Sequence, residues 1–595
     1  MADRRTWRRI EWAALGGVLL LAALLRLARL EDNGFGTVYY AAGVRSMLQG
    51  AWLFFYNAFD PAGFVSLDKP PVAFWIQAAF AGVLGYGGWE LHLPQALAGI
   101  AAVALLYALV RPAGARAAIV AALLLAISPI SVAIDRSNNA DSWLILFLLL
   151  AAALALRGRG LSLVAAMAVL ALAFNTKMLA ALVGGPALLA AWLLATDLSW
   201  RQRLAWMAGA GAVLVVLSLA WAVAFDLTPA DSRPYAGSSH GNSMLELIVG
   251  HNGLERFRPP ANPTTAPLTA QSAAPTGRVR QVEAYDAVPV GPLRLAHPTL
   301  ATQFAWALPL AAAGVLLGWR RRPALVALWG VWAVTYAAVY SLAGGIFHAY
   351  YLATLAPPLA ALAGIGAADL WRRGTALLAA GIAATATLQA AVAGASLGWE
   401  SVWMGFPAIA LLGAAAAAVR RRRPAAAIGG AALLVLPLAW ALSALFSPGN
   451  LTLPSASLPR WLGRDDGRGP LLSRTYSALT DDPRLQAYLK EHRGRARFLL
   501  ATPDALLAAP VIVRTGQPVM AFGGFLGRDP VISVEAFAEA VHRGEVRFAV
   551  LAANRRTRAF ERWVRAHGKP VDPALWRSLP ADPRRELTLY DLRPG

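Results

Sequence analysis

About thirteen stretches of this 595-residue chain run apolar and nearly uncharged for roughly the 17 to 25 residues that a helix needs to cross a bilayer, several of them somewhat shorter. They lie near 10–30, 93–110, 116–134, 142–156, 161–175, 178–195, 205–225, 299–318, 323–343, 350–370, 375–395, 403–419 and 425–446. Hydrocarbon offers no hydrogen bonds, so a backbone in it must satisfy its own N–H and C=O groups. The expected class is therefore a polytopic α-helical membrane protein. Composition agrees, because 57% hydrophobic and 15% charged residues exceed the needs of one soluble core. The chain has no cysteine, which excludes disulfides, thiolate metal sites and cysteine nucleophiles.

The net charge of +21 could point to nucleic acid, but the basic residues sit in short clusters between apolar runs: RRTWRR at 4–9, RGR at 157–159, RQR at 201–203, RRR at 320–322 and RRRR at 420–423. That is the pattern of cytoplasmic loops, so no nucleic-acid partner is expected. With the N-terminus inside, every cluster falls on the cytoplasmic face, provided that the apolar run 71–88 lies along the outer surface or re-enters without crossing. Thirteen crossings then send the C-terminus outside. This divides the chain into a transmembrane domain over 1–446, with outer loops at 31–92 and 226–298, and an extracytoplasmic domain over 447–595. The second loop is rich in Pro, Ser, Thr and Ala around PPANPTTAPLTAQSAAPTG and is expected to be flexible there, with ordered ends in DLTPADSRPY and NSMLELIVGHNGLER. The tail alternates strand-like runs (ARFLLAT, APVIVRT, VRFAVLAA) with helical ones (DPRLQAYLKEH, SVEAFAEAVHRG), which predicts a small α/β domain.

Ionisable groups near membrane depth are costly unless paired or wetted, so each is a candidate for function. At the outer ends of the spans stand Asp32, Asp60, Asp68, Lys69, Asp135, Arg136, Asp141, Lys177 and His348. Lysine use sharpens the choice: of 54 basic residues only Lys69, Lys177, Lys490 and Lys569 are lysines, and the first two interrupt apolar segments. An ammonium is a compact charge suited to a phosphate, or else an interfacial residue with its head in water. In FVSLDKPPVAFW, residues 64–75, two prolines stiffen the chain beside Lys69, which favours function. IDRSNNADSW, residues 134–143, packs an acid, an arginine and two asparagines into a short turn. There Asp141 begins a helix that Asn138 or Asn139 could cap, or it could activate a hydroxyl, with Arg136 and Asn139 binding a sugar. GGIFHAYYLATLAPP, residues 344–358, sets His348 and Tyr351 at the mouth of a span.

Together with DLTPADSRPY, NSMLELIVGHNGL and LLATPDALLAAPVIVRTGQPVMAFGGFLGRDP in the tail, these motifs resemble the bacterial YkcA/YkcB-like branch of the dolichyl-phosphate-mannose:protein mannosyltransferase superfamily. The resemblance covers nearly the whole chain. It implies a GT-C membrane glycosyltransferase, related in structure to the lipid A aminoarabinose transferase, with about thirteen transmembrane helices and a C-terminal extracytoplasmic α/β domain. It further implies residence in the bacterial cytoplasmic (inner) membrane among membrane lipids. The implied reaction passes a sugar, with inversion, from a polyprenyl-phosphate-linked donor to an extracytoplasmic acceptor: a cell-envelope glycan, a lipid or a protein. By position, Lys69 would bind the donor phosphate and Asp68 matches an acid at a metal site, so a divalent ion is an open expectation. Asp141 matches an acid of the cavity, and the FHAYY segment matches a His-x-x-Tyr segment at its mouth; Lys177 and Tyr39 are counted with the substrate-binding residues. Relatives carry an acidic pair just before the tyrosine-rich helix of the first outer loop. This chain has Gly36, Thr37 and Val38 ahead of Tyr39 and Tyr40, so either Asp141, Asp60 or Asp32 takes the role of base or the acceptor needs less activation. The rival reading is a lipid or sugar transporter or flippase, although its repeated halves and midplane sites are not evident here.

Overall fold

The computed structural model describes residues 4–250, 252–253, 256–257, 288–345, 347–420, 422–464, 478–552, 558–578 and 587–593. Among them ten helices are long and apolar enough to cross a membrane. A further pair, Ala115–Ala126 and Pro129–Asp135, makes one span bent by 59°. Pro129 explains the break, since it has no N–H to continue the preceding ladder and its fixed φ suits the first position of a new helix. With the shorter apolar helices Asp141–Ala155 and Leu179–Ala195, these elements fall on the stretches expected from hydropathy. The run after the paired prolines forms Val72–Leu84, whose 13 residues rise only about 20 Å, too little to span. The proline-rich middle of the second outer loop lies outside the described residues.

The chain separates into two compact units. The first comprises 1–34, 92–218 and 283–468. Its helices approach closely through small residues. A side chain on Gly314 of Leu308–Gly318 would overlap the Leu362 carbonyl, and one on Gly366 of Ala356–Arg373 would overlap that of Leu310. Close backbone contact of this kind is how apolar helices pack where lipid offers no hydrophobic drive.

The second unit gathers 35–91, 219–282 and 469–595, whereas the sequence reading sets one boundary near 447. Its tail holds a five-stranded sheet, β1 (Leu500–Thr502), β2 (Val519–Ala521), β3 (Phe548–Ala552), β4 (Lys569–Pro570) and β5 (Leu587–Asp591), in the order β2-β1-β3-β5-β4. β1 runs parallel to β2 and β3, while β5 is antiparallel to β3 and β4. ARFLLAT and VRFAVLAA supply β1 and β3 as expected, but APVIVRT lies in the helix Ala505–Thr515. Its ends decide this against the β-branched residues. The Asp504 side chain accepts from the Leu507 N–H at 3.0 Å, and Gly516 closes the helix at φ 64°. This helix packs on Val38–Met47 of the first outer loop, and one core joins Tyr39, Val44, Phe59, Leu67 and Phe74 to Leu500, Leu507, Val511 and Phe548.

Candidate active site

In the first unit, Asp141 opens its helix as foreseen and meets Lys177, the last residue of Gly160–Lys177, with Nζ 2.5 Å from Oδ1. The ammonium also lies 4.7 and 4.4 Å from the ring centroids of Tyr350 and Tyr351, and the His348 ring stacks on Tyr350 at 5.5 Å. Five residues from three distant motifs thus form one ion pair walled by aromatic faces. Such a surface can hold a sugar ring against tyrosines while charged groups take its hydroxyls.

Arg136 and Asn139 are placed otherwise. Both are buried. The Arg136 guanidinium donates to the carbonyls of Leu25, Arg26, Ala28 and Arg29, at 3.3, 3.1, 2.7 and 3.1 Å. It therefore caps the C-terminal end of Arg4–Leu27, whose last carbonyls have no helical partner. The Asn139 amide donates to Ser137 Oγ and to the carbonyls of Leu451 and Thr452, tying two segments together. Nearby, Asp135 is bound by Arg26 Nε (2.8 Å) and Ser142 Oγ (2.6 Å), a buried pair that Gly99 leaves room for. Asp32 pairs with Arg29 at the surface.

In the second unit, Lys69 Nζ stands 2.5 Å from Asp68 Oδ2, and both side chains are largely buried. The segment is fixed from three directions: the Asp68 N–H donates to Tyr39 Oη (3.1 Å), the Asn57 amide to the Lys69 carbonyl (2.9 Å), and the Asn252 amide to the Asp68 carbonyl (3.4 Å). Tyr39 packs between Phe59 and Phe525, with centroids 5.0 and 4.5 Å away, and burial next to Asp68 holds its phenol well above the usual range. Asp60, expected as a catalytic acid, is wholly buried, and its oxygens accept from the amides of Ala62, Phe64 and Val65. It organises its own turn and offers no oxygen to a substrate. Burial outweighs those three donors and lifts its pKa to about 6.

The family described as dolichyl-phosphate-mannose-protein mannosyltransferase matches residues 68–221, and the family described as putative mannosyltransferase YkcB-like, C-terminal, matches 485–567. The putative mannosyltransferase YycA of Bacillus subtilis is 33% identical over 94% of this chain and 94% of its own. The chain belongs to the YkcB-like family of putative mannosyltransferases. YkcB of the same organism is 32% identical, with 94% of this chain and 92% of the relative covered. Among solved structures, ArnT from Cupriavidus metallidurans in the apo state matches with a TM-score of 0.55 at 17% identity, covering 99% of both chains. ArnT bound to undecaprenyl phosphate matches with a TM-score of 0.52 at 17% identity over 100% of both. The fold is that of the GT-C glycosyltransferases, and this YkcB-like protein is a multi-pass membrane protein.

A divalent ion at Asp68 finds no ligand set: among the described residues no group of three or more His, Asp or Glu could hold one. One carboxylate absent from the sequence candidates does stand in this region. Asp529, in AFGGFLGRDP, accepts from the N–H groups of Ser238 (2.8 Å) and Phe525 (3.3 Å), both on Oδ2. The glycines in that motif were its signal, because a side chain on Gly524, at φ 66°, would overlap Asp529 Oδ2.

Proposed function

We propose that this YkcB-like protein transfers a sugar from a polyprenyl-phosphate carrier to a hydroxyl acceptor on the outer side of the bacterial cytoplasmic membrane. The observation that carries this reading is the Lys69 ammonium, fixed against Asp68 immediately ahead of the apolar helix Val72–Leu84. That helix buries Phe74, Gln77 and Ala78 yet leaves Val83 86% exposed. An anionic head on an isoprenoid tail needs this pairing: a cation held in a mostly dry setting, and beside it an apolar surface in the interface for the chain. The names of the relatives, and the undecaprenyl phosphate bound to ArnT, support it.

In this reading Lys69 neutralises the phosphate as the bond to the anomeric carbon breaks, and Asp68 keeps the ammonium in place. Within the first unit, the pair of Lys177 and Asp141, with Tyr350, Tyr351 and His348, has the chemistry to bind a sugar's hydroxyls. A single displacement by the acceptor oxygen inverts the anomeric centre. The arginine clusters support a cytoplasmic N-terminus and a tail on the outer side.

The test is Lys69→Ala in purified enzyme with undecaprenyl-phosphate mannose. Release of undecaprenyl phosphate should fall by at least about a hundredfold while the unfolding temperature holds. Near-normal release refutes the assignment.

A further inference from the structure

The transfer reaction needs a group to take the acceptor's proton, and the acids near the expected sites are engaged. Asp60 is saturated by three amides, Asp135 is held by Arg26 and Ser142, and Asp68 and Asp141 are each ion-paired to a lysine. Asp226 accepts from Ser243 Oγ and from the N–H groups of Met244 and Leu245, which fixes the start of Met244–Val249. Asp529 differs from Asp68 and Asp141 in carrying no lysine: among the described residues Asp68 also has an oxygen, Oδ1, that accepts no hydrogen bond, but Lys69 neutralises its charge. The two hydrogen bonds to Asp529 come from backbone amides and fall on Oδ2, and among the described residues its Oδ1 accepts none. The residue is partly exposed.

Its position follows from three segments that converge within the second unit. Val65 bridges Tyr235, and the Gly237 N–H donates to Ser66 Oγ (3.1 Å), which lays 235–238 alongside the segment leading to Asp68 and Lys69. The next residue, Ser238, donates to Asp529. From the other side, Phe525 packs at a tilt against Tyr39, whose hydroxyl accepts from the Asp68 N–H. The tail loop 523–529 is thus built onto the Asp68–Lys69 corner, with its carboxylate bent back over Gly524.

Resting on the transferase reading above, we propose that Asp529, supplied by the C-terminal segment, is the general base of the transfer. The acceptor oxygen forms a bond to the anomeric carbon as the bond from that carbon to the phosphate oxygen breaks. The bonding pair leaves with the polyprenyl phosphate beside Lys69, and the hydroxyl proton passes to Asp529 Oδ1. The tail is then a part of the active site.

The setting suits a base. Burial and the neighbouring Asp68 raise Asp529 to about 6, against the amides of Ser238 and Phe525 and the more distant His240. Tyr39, Tyr235 and Arg528 also face it. Its conjugate base is therefore present at neutral pH yet stronger than an exposed carboxylate.

The experiment uses the full-length enzyme in detergent with undecaprenyl-phosphate mannose and an envelope extract as the source of acceptor hydroxyls. Undecaprenyl phosphate release is followed from pH 5 to 8, and undecaprenyl phosphate binding is measured separately. Asp529→Asn keeps an oxygen for Ser238 and Phe525 but cannot accept the proton. Turnover should drop by about 10²–10⁴-fold, binding should stay within twofold, and the fall in rate below pH 6 expected of the wild type should vanish. A variant within threefold of wild type that keeps its acid limb overturns the inference while leaving the transferase reading intact if Lys69→Ala is dead. A wild-type enzyme that releases no undecaprenyl phosphate overturns both. Should the Asn variant fail to fold, a wild-type rate that is flat from pH 5 to 8 is by itself enough to reject Asp529 as the base.

Discussion

Asp60 and Asp529 both titrate near pH 6 for the same first reason, withdrawal from water, yet their hydrogen bonds give them different work. Three amides close around Asp60, so its charge serves the 60–65 turn. For a carboxyl raised from 3.8 to about 6, the folded state binds the proton more tightly than the unfolded chain. The stability this lends is complete below about pH 4 and is lost as pH rises through 6. Unfolding of the second unit, followed by tryptophan fluorescence, should therefore shift to lower temperature between pH 4 and 6. Asp60→Asn points an amide N–H at backbone donors and should cost about 1–3 kcal/mol at pH 7, with turnover per folded molecule unchanged. If turnover falls by a hundredfold or more in a fully folded Asp60→Asn enzyme, the acid has a chemical role after all.

At the scale of elements, the spans were readable because hydropathy is local: each stretch reports its own solvent. Helix ends were less so, because caps come from elsewhere in the chain. Arg136 looked like a ligand for a sugar, being a cation in a polar turn, but its four acceptors are carbonyls more than a hundred residues earlier. Nothing in the spacing of IDRSNNADSW distinguishes those two uses. APVIVRT likewise reads as a strand until Asp504 and Gly516 are weighed at its borders. Removing the Arg136 cap leaves buried carbonyls without donors, so Arg136→Ala should lower stability by about 2–3 kcal/mol. Arg136→Lys should recover little, since one ammonium cannot span four acceptors held by a planar fork. Thermal unfolding in detergent checks both, and an unchanged melting temperature with weakened undecaprenyl phosphate binding would return Arg136 to the substrate.

For the whole molecule, what the sequence could not disclose is which distant segments share a core. The motifs of the first outer loop and the tail were each visible, and so was the ion pair's lysine at 177, but contact between residues hundreds of positions apart leaves no period to detect. In the structure the tail is not an appendage to the first outer loop. Leu67 and Phe74, on either side of Lys69, belong to one hydrophobic cluster with Leu507, Val511 and Phe548, and the Gln49 amide donates to the Gly516 carbonyl at 3.0 Å. A buried aliphatic or aromatic side chain contributes about 1.5–3 kcal/mol, so a loop deprived of several such partners cannot hold Lys69 against Asp68. Truncation after residue 468 should therefore leave the spans inserted while the backbone amides of 35–91 exchange hydrogen orders of magnitude faster and undecaprenyl phosphate binding is lost. Retained protection in the truncated protein would mean that the loop folds without the tail, and that the carboxylate at 529 joins a site already formed.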